Sequence, residues 1–309
     1  MTTRYAYLGP RGTFAEAALL AMPASADAEI VPAISVPVAL SMVREGSVSG
    51  ALVPIENSVE GSVPTTLDGL AHGSVLQIVD EIAIPVQFAL LAKPGVQLAD
   101  IKRIATHPHA HAQCAGWLRE HLPEVHVLPA MSTASAAAEL SEDANYDAAI
   151  ASRNAAGHYG LEIVADEIAD ENSAWTRFIL VRPPGHAALP TGNDKTTLSL
   201  FMHEDHPGAL LEILTEFSVR GVNLTRIESR PTRKQLGDYY FSIDCEGHID
   251  EEHVGEALKG LHRICADVKF LGSYPRHEII NVESDASDTE RAFVDADAWL
   301  AKTRERARD

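Results

Sequence analysis

Three histidines at alternate positions, followed closely by a cysteine, mark the segment Ala105–Trp117, which reads ATHPHAHAQCAGW. His107, His111 and Cys114 follow one another at intervals of about one helical turn, so a helix would place them on a similar face. Imidazole and thiolate groups are ligands that zinc prefers in proteins. One interpretation of the spacing is therefore a zinc site, as in a metal hydrolase.

Two features of the same segment favour a different interpretation. Pro108 suits the first turn of a helix, and His109 would then point away from a common ligand face. No CxxC motif follows to complete a closed site. We therefore expect no metal, with His107 and Gln113 facing a cleft as hydrogen-bond donors and with His109 and His111 on the solvated side of the helix.

Hydroxyl and amide groups also gather at three points where a strand gives way to a helix. These are LGPRGTFAEAAL at 8–19, PIENSVEGSVPTTLDGL at 54–70 and MSTASAAAEL at 131–140. Free N–H groups and the helix dipole make such helix starts suited to binding anions. Each segment also has a simpler explanation, because Ser and Thr at these positions commonly cap helices. Taken one at a time, the segments do not establish a binding site.

The segment ENSAWTRFILV at 171–181 places a hydroxyl, a cation and an aromatic ring where a strand leaves a loop. Alternation along a strand puts Thr176 and Phe178 on one face and Arg177 on the other. Arg177 is left with two alternatives, gripping an anionic ligand or bracing the strand, and the alternation favours bracing.

The charge balance favours a small-molecule ligand. The net charge of −19, with no run of Lys or Arg, disfavours nucleic acid and anionic membrane surfaces as partners. An anionic ligand would have to be held by local neutral donors against this field. The three cysteines fit neither a disulfide framework nor a CxxC motif. With no export signal or membrane-spanning stretch expected, the prediction is a cytoplasmic protein.

The elements that must position these residues follow an α/β pattern. Six short apolar runs in the first 180 residues are each followed by a helical period, beginning near Thr13, Ser35, Gly61, Pro108, Ser132 and Ser152. Two longer β-rich segments, Val75–Ala92 and Leu161–Val181, interrupt the pattern where a chain would cross between two lobes and return. We therefore predict two lobes with a cleft, where ligands bind at the carboxyl ends of strands.

A Pro- and Gly-rich stretch without periodicity separates this region from a second domain. The order of elements after it is βαββαβ, which is ferredoxin-like. The predicted boundaries are a two-lobed domain over 1–183, a linker over 184–194, a ferredoxin-like domain over 195–277 and an acidic tail over 278–309. One interpretation of the tail is a terminal amphipathic helix.

Considered together, the segments resemble the prephenate dehydratase family. The matching motifs, in the family's order and spacing, are GPRGTF at 9–14, ENSVEGSV at 56–63 with Thr65, HPHAHAQC at 107–114, STASAA at 132–137 and NSAWTRF at 172–178. The later segments HPGALLEIL at 206–214, GVNLTRIESRP at 221–231 and DYYFSIDCEG at 238–247 resemble ACT domains. The resemblance covers about residues 4–275, and one departure is His109, where the family more often has Gln. It implies a two-lobed catalytic domain of the type II periplasmic-binding-protein-like class, followed by a regulatory ACT domain.

The resemblance implies a lyase that converts prephenate to phenylpyruvate, water and carbon dioxide in phenylalanine biosynthesis, without a cofactor or a metal. It assigns Thr176 as the donor to the departing hydroxyl, with His107 or Glu56 as proton source. The residues expected to bind the substrate, largely through neutral donors, are Thr13, Asn57, Ser58, Thr65, Gln113, Ser132, Thr133, Arg177 and Phe178.

ACT domains bind free amino acids at subunit interfaces, and here the resemblance implies feedback inhibition by phenylalanine and a homodimer or homotetramer. The effector residues that it predicts are Gly208, Ala209, Leu210, Asn223, Leu224, Glu228, Ser229, Arg230 and Pro231. Two further readings stay open beside the dehydratase. One is arogenate dehydratase, the same elimination on the amino analogue, and the other is a non-catalytic protein that senses amino acids.

Overall fold

The computed structural model describes residues 3–142, 144–171, 174–185, 189–203, 206–233, 237–277, 299–300, 302–304 and 306. In chain order its strands are β1 (Arg4–Leu8), β2 (Glu29–Ala33), β3 (Gly50–Asn57), β4 (Gly61–Ser62), β5 (Gln77–Pro85), β6 (Phe88–Ala92), β7 (Arg103–Thr106), β8 (His126–Pro129), β9 (Ala148–Ser152), β10 (Glu162–Ala165), β11 (Trp175–Arg182), β12 (Asp194–Phe201), β13 (Leu224–Pro231), β14 (Tyr239–Glu246) and β15 (Asp267–Pro275). The helices are α1 (Phe14–Ala21), α2 (Val36–Arg44), α3 (Pro64–Ala71), α4 (Pro108–Gln113), α5 (Ala115–His121), α6 (Thr133–Ser141), α7 (Arg153–Tyr159), α8 (Ala209–Ser218) and α9 (Glu252–Ile264).

Two separate sheets form the first part of the chain. The sheet of lobe 1 has the order β2-β1-β3-β11-β5, with β4 paired to β3, and the sheet of lobe 2 has the order β10-β6-β9-β7-β8. The chain passes from lobe 1 to lobe 2 between β5 and β6, and it returns between β10 and β11. The two passages run side by side, because the Val86 N–H donates to the Ala174 carbonyl at 2.8 Å. The two-lobed α/β class expected from the two β-rich segments is thus confirmed.

Helix starts agree with the expected positions because capping residues stand just before them. Thr13, Ser35 and Ser132 each accept a backbone N–H of the first turn through the side-chain oxygen. The helices are short, from the six residues of α4 to the thirteen of α9. Across the residues with described coordinates, no helix is both long enough and apolar enough to cross a membrane.

The second domain, which resembles ACT domains in sequence and is called the ACT domain below, has the expected βαββαβ order. Its sheet runs β13-β14-β12-β15, with every neighbouring pair antiparallel. The helices α8 and α9 supply residues such as Ile213, Phe217 and Leu261 to its hydrophobic core.

A close approach of two strands joins the ACT domain to lobe 1. A Cβ added at Gly272 of β15 would lie 2.2 Å from the carbonyl oxygen of Ile78 in β5, and Gly272 has a φ of +138°. Leu271 and Tyr274 belong to the same hydrophobic cluster as Ile78 and Ile179 of lobe 1. The ACT domain is therefore packed against lobe 1 through a shared core.

Candidate active site

Thr176 lies on β11 beside the carboxyl end of β3. The Asn57 side-chain nitrogen donates to Thr176 Oγ1 at 2.9 Å, and the two residues are cross-strand partners. Because the Thr176 oxygen accepts this bond, its own hydrogen is available for another acceptor. Thr176 is half-buried rather than enclosed in the core, so this hydrogen can reach a ligand beside the strand.

Asn57 also shapes the turn that follows β3. Its Oδ1 accepts the backbone N–H groups of Val59 at 2.9 Å and Glu60 at 3.0 Å. Ser58 is exposed, and its hydroxyl oxygen accepts the Trp175 N–H at 2.9 Å. These bonds hold the β3–β4 turn against the start of β11, which fixes the position of Thr176 relative to the turn.

Glu60, in this turn, reaches from lobe 1 to lobe 2. Its carboxylate contacts the His109 Nδ1, and the Gln113 side-chain nitrogen donates to it at 3.4 Å. A continuous series of contacts thus runs from Thr176 through Asn57 and the turn to α4. The expected placement of Gln113 at the cleft agrees with this geometry, whereas His109, although exposed as expected, also contacts the opposite lobe.

His107 caps α4 with its ring. Its Nδ1 accepts the His109 N–H at 3.3 Å, so the neutral ring carries its hydrogen on Nε2. Burial lowers the pKa of His107, the neighbouring His109 lowers it further, and Glu60 partly opposes both. At neutral pH His107 is therefore neutral, with a hydrogen on Nε2 that can be donated.

Two of the predicted anion-binding hydroxyls, those of Thr13 and Ser132, are engaged in helix caps. Thr13 donates its hydrogen to the Leu8 carbonyl at 2.9 Å, which commits its hydroxyl to the protein. Ser132 and Ser135 form a reciprocal capping box at the start of α6. Thr133 follows in the first turn and is half-buried, and Thr65 is exposed in the first turn of α3. An anion would therefore be bound mainly by free backbone N–H groups at the helix starts, rather than by the Thr13 and Ser132 hydroxyls.

Three predicted residues do not join Thr176 at the site. Arg177 is directed to the opposite face, where it donates to Glu81 at 2.6 Å and to Asp244 of the ACT domain at 2.7 Å. Glu56 is its cross-strand partner and binds it at 3.2 Å. Phe178 shares the Thr176 side but is only 3% exposed and packs in the lobe 1 core. We therefore correct the expectations that Arg177 and Phe178 contact substrate and that Glu56 supplies the proton.

The zinc interpretation finds no support in the geometry of its three residues. Cys114 is buried in the lobe 2 core, and burial raises the pKa of its thiol to about 12. His111 is exposed, so the two side chains do not share a site. No group of three or more His, Cys, Asp or Glu residues suited to a metal occurs among the described residues.

The predicted effector residues fall into three groups. Gly208, Ala209, Leu210 and Ser229 line a cavity of about 970 Å³ beside α8. Asn223 and Leu224 lie at a smaller cavity of about 390 Å³ near the other end of that helix. Glu228 and Arg230 point to lobe 1, and Pro231 is an exposed residue at the end of β13. A single chain does not bring the whole set together.

Two acidic residues that contact lobe 2 from lobe 1 were missed by the sequence reasoning. Glu60 was overlooked because only the fold shows that its turn faces α4. Glu16 is 3% exposed and accepts bonds from the Gly12 N–H at 2.6 Å and the Tyr7 hydroxyl at 2.9 Å, with His158 of lobe 2 at 2.9 Å. Its position three residues after the Thr13 cap, the capping-box spacing, was the available signal.

Comparisons with known proteins agree with the geometry. The family model described as prephenate dehydratase matches residues 5–185, and the ACT domain model matches residues 196–263. A prephenate dehydratase of Mycobacterium ulcerans is 46% identical over 310 residues, covering 98% of this chain and 96% of the relative.

Two solved structures are similar over most of their length. One is a prephenate dehydratase from Arthrobacter aurescens in complex with L-Phe, with 49% identity, a TM-score of 0.86, and coverage of 98% of this chain and 100% of that one. The other, GqqA, is described as a novel type of quorum quenching acylase, with 32% identity, a TM-score of 0.80, and coverage of 89% and 98%. The family model spans more than half of the chain, and with these relatives it shows that the chain belongs to the prephenate dehydratase family and carries an ACT domain.

Proposed function

We propose that the crevice around Thr176 converts prephenate to phenylpyruvate, and that phenylalanine bound at the ACT domain inhibits this reaction. The observation that carries the catalytic assignment is the hydrogen bond from Asn57 to Thr176 Oγ1. It orients the hydroxyl so that Thr176 acts as a donor in the crevice between the lobes.

The reaction consumes one proton. As the bond to the ring carboxylate breaks, its electrons move through the ring, which becomes aromatic, and the hydroxyl at the opposite ring carbon leaves. The prephenate dianion and one proton together give the phenylpyruvate anion, carbon dioxide and water. Thr176 donates a hydrogen bond to the departing oxygen, and one such preorganised donor contributes about 10²–10³ in rate. Because a threonine hydroxyl is a weak acid, another group or solvent must supply the proton.

His107 is the remaining predicted candidate for this proton transfer, now that Glu56 is turned toward Arg177. Its neutral ring, with the hydrogen on Nε2 and with Nδ1 held by the cap of α4, donates only a hydrogen bond, so proton transfer requires the protonated form of the ring. Glu60, which lies in the turn fixed by Asn57, is a second acidic group near the crevice. Both can be tested without altering Thr176.

The two substrate carboxylates are held by neutral donors in this proposal. Asn57, Ser58 and Gln113 lie around the crevice, and the starts of α1, α3 and α6 add backbone N–H groups. Cations beside the departing carboxylate would stabilise the ground state more than the transition state and would slow decarboxylation. The engagement of Arg177 on the far side of β11 fits this requirement.

Two further proposals concern the assembly and its location. The ACT domain exposes apolar side chains at Leu211, Val219, Ile227 and Tyr239, from 43% to 70% exposed, which suits pairing with a second copy. We propose a homodimer or homotetramer that completes the effector site.

The location is a separate proposal. The three cysteines of the chain are free and buried, which suits the reducing cytoplasm that we propose.

The test is a phenylpyruvate assay on the purified full chain, with prephenate and with arogenate as separate substrates and with and without phenylalanine. We expect turnover of prephenate, a lower kcat/KM for arogenate, and inhibition by phenylalanine. Binding of either substrate without product would support an amino-acid sensor instead. Because a solved relative is described as a quorum quenching acylase, release of a fatty acid from an N-acyl substrate is measured as a separate activity.

Thr176→Ala tests the assigned donor. We expect kcat to fall at least about 10²-fold, because the departing oxygen loses its donor. Thr176→Ser is the matched control, since it keeps the hydroxyl, and it should retain activity within about tenfold. Near-normal turnover of Thr176→Ala would contradict the mechanism.

A further inference from the structure

The residue after Thr176 is the centre of a buried ionic network that joins lobe 1 to the ACT domain. All three guanidinium nitrogens of Arg177 donate hydrogen bonds, and its side chain is 9% exposed. The Nε binds Glu81, Nη1 binds Asp244 and Glu56, and Nη2 binds the Tyr274 hydroxyl at 3.0 Å.

Asp244, on β14 of the ACT domain, is the most enclosed acidic member of this network. It is fully buried and accepts a bond from Thr197 at 2.9 Å and two bonds from Arg226, at 2.9 and 3.0 Å, in addition to the Arg177 bond. Burial alone would raise the pKa of Asp244, but Arg226 and Arg177 outweigh it and hold the pKa far below its ordinary range. Asp244 is therefore charged whenever the protein is folded near neutral pH.

The charges of the network balance only when both domains are present. Arg177, Glu56 and Glu81 come from lobe 1, whereas Lys195, Arg226 and Asp244 come from the strands of the ACT domain. Lys195 donates to both oxygens of Glu81, at 2.8 and 3.0 Å. The network thus contains three cations and three carboxylates. Removal of the Asp244 charge would leave Arg177 with only Glu81 and Glu56 as anionic partners. A buried charge without its partner forces a rearrangement.

One peptide unit separates Arg177 from Thr176, and alternation places their side chains on opposite faces of β11. A rearrangement of Arg177 that shifts the backbone of β11 would therefore also move the Thr176 hydroxyl. A misplacement of about 1 Å in an active site can reduce the rate about 10²-fold.

We infer that Asp244 is a positioning residue of the dehydratase site, supplied by the ACT domain. It fixes Arg177, and through the backbone of β11 it fixes Thr176 in the crevice. This inference rests on the proposed role of Thr176. It makes the ACT domain a structural part of the catalytic centre even when no effector is bound.

The test compares Asp244→Asn with the same substitution at a second buried aspartate that joins lobe 1 to the ACT domain. Asp244→Asn keeps the shape but removes the charge, and we expect kcat to fall about 10- to 100-fold with KM for prephenate within about threefold. The control is Asp68→Asn, because Asp68 of α3 is also a buried carboxylate held by ACT residues, namely Arg230, Arg233 and Tyr240. Among the described residues, the side-chain hydrogen bonds of Asp68 come from Arg230, Arg233 and Tyr240 and not from Arg177. Asp68→Asn should therefore lower the melting temperature and leave kcat within about threefold. Equal losses of kcat in the two variants would overturn the inference.

A double-mutant cycle with Thr176→Ala separates this inference from the proposed function. If Asp244 acts through Thr176, Asp244→Asn should cost less than about threefold in the Thr176→Ala background. A full further loss of 10- to 100-fold there would overturn the inference and leave the role of Thr176 intact. Normal turnover of Thr176→Ala would instead overturn the proposed function.

Arg226→Lys gives a second route if Asp244→Asn does not fold. It keeps the positive charge but loses the two-pronged grip on Asp244. We expect a three- to tenfold lower kcat at a similar KM and a cooperative unfolding transition. A folded Arg226→Lys variant with wild-type kcat would count against the positioning role.

Discussion

Thr176 and Arg177 are neighbours that serve two different surfaces of β11. The hydroxyl is held by Asn57 toward the crevice, and the guanidinium is held by acidic groups toward the ACT domain. A substitution at either residue will therefore reduce turnover for a different reason. Only the Thr176 variants remove a group that we place against the substrate.

His107 gives a prediction about pH and stability. Its pKa is lowered in the folded state, so the unfolded chain binds the proton more readily. The free energy of unfolding should then fall as the pH drops below about 6.5, the ordinary pKa of histidine. Once the pH is below the lowered pKa of His107 in the folded state, this residue causes no further loss.

His107→Asn is the variant that checks this prediction. Asn also caps helices well but does not titrate. Urea unfolding at pH about 7 and about 5.5 should show a smaller loss of stability in His107→Asn than in the wild type. An equal loss in both proteins would assign the pH dependence to other groups.

At the residue scale, the sequence predicted which face of a strand a side chain occupies better than it predicted which distant residue that side chain contacts. The alternation of β11 correctly placed Thr176 and Arg177 on opposite faces. It gave no information on Asp244, because the two residues are 67 positions apart and only the packing of two domains brings them together. The same limit explains why Glu56 was considered a proton source.

Strand β13 is an element with two functional faces. Ser229 lines the large cavity beside α8, whereas its neighbours face lobe 1, where Glu228 accepts a bond from Ser62 at 3.3 Å and Arg230 binds Asp68 at 3.1 Å. An effector in the cavity would thus act on the same strand that holds α3.

Arg230→Ala should reduce inhibition without removing the effector site. We expect phenylalanine to bind within about threefold of the wild-type affinity by calorimetry, while its inhibition of turnover weakens at least about fivefold, because the contact with Asp68 is lost. Ser229→Trp, which fills the cavity, is the comparison and should abolish binding. Loss of binding in Arg230→Ala would place its side chain in the effector site instead.

The contact between β5 and β15 predicts a strongly destabilising substitution. Gly272→Ala would place a methyl group against the Ile78 carbonyl in an unfavourable backbone conformation, and we expect a loss of about 2–4 kcal/mol. Gly255→Ala in α9 is the control, because its Cβ would meet only an ordinary contact at 3.5 Å. Helix propensity should make that variant more stable by up to about 1 kcal/mol. Thermal unfolding distinguishes the two, and a neutral Gly272→Ala would contradict the packing.

Helix starts and the order of elements along the chain were accessible from the sequence because caps and hydrophobic periods are local signals. Thr13, Ser35 and Ser132 stand where the helices begin. The contact of β15 with β5 was not accessible, because an isolated glycine in a strand does not reveal which strand approaches it. The predicted tail helix lies largely outside the described residues.

At the scale of the whole molecule, the catalytic lobes depend on the ACT domain for charge balance. A fragment of residues 1–185 would leave Arg177 and Glu81 without Asp244 and Lys195. We expect its kcat to be at least about tenfold lower than that of the full chain, with a lower melting temperature. A fully active fragment would show that the lobes position Thr176 by themselves.

Two lobes and a second domain were predictable because each has its own pattern of elements. Their mutual arrangement was not, since it depends on buried ion pairs between distant residues. The sequence offered Arg226, Lys195 and Asp244 only as charged residues in strands. Nothing local distinguishes them from solvent-exposed charges.

The buried bond from Arg177 to Asp244 limits how this enzyme can be recombined with other sensors. A foreign regulatory module grafted in place of residues 195–277 would need a carboxylate at the position of Asp244, whatever amino acid the graft recognises. Chimeras that lack it would yield poor catalysts even when each half is well folded. Selecting grafts first for this single acid, and only then for ligand preference, is the more economical order of work.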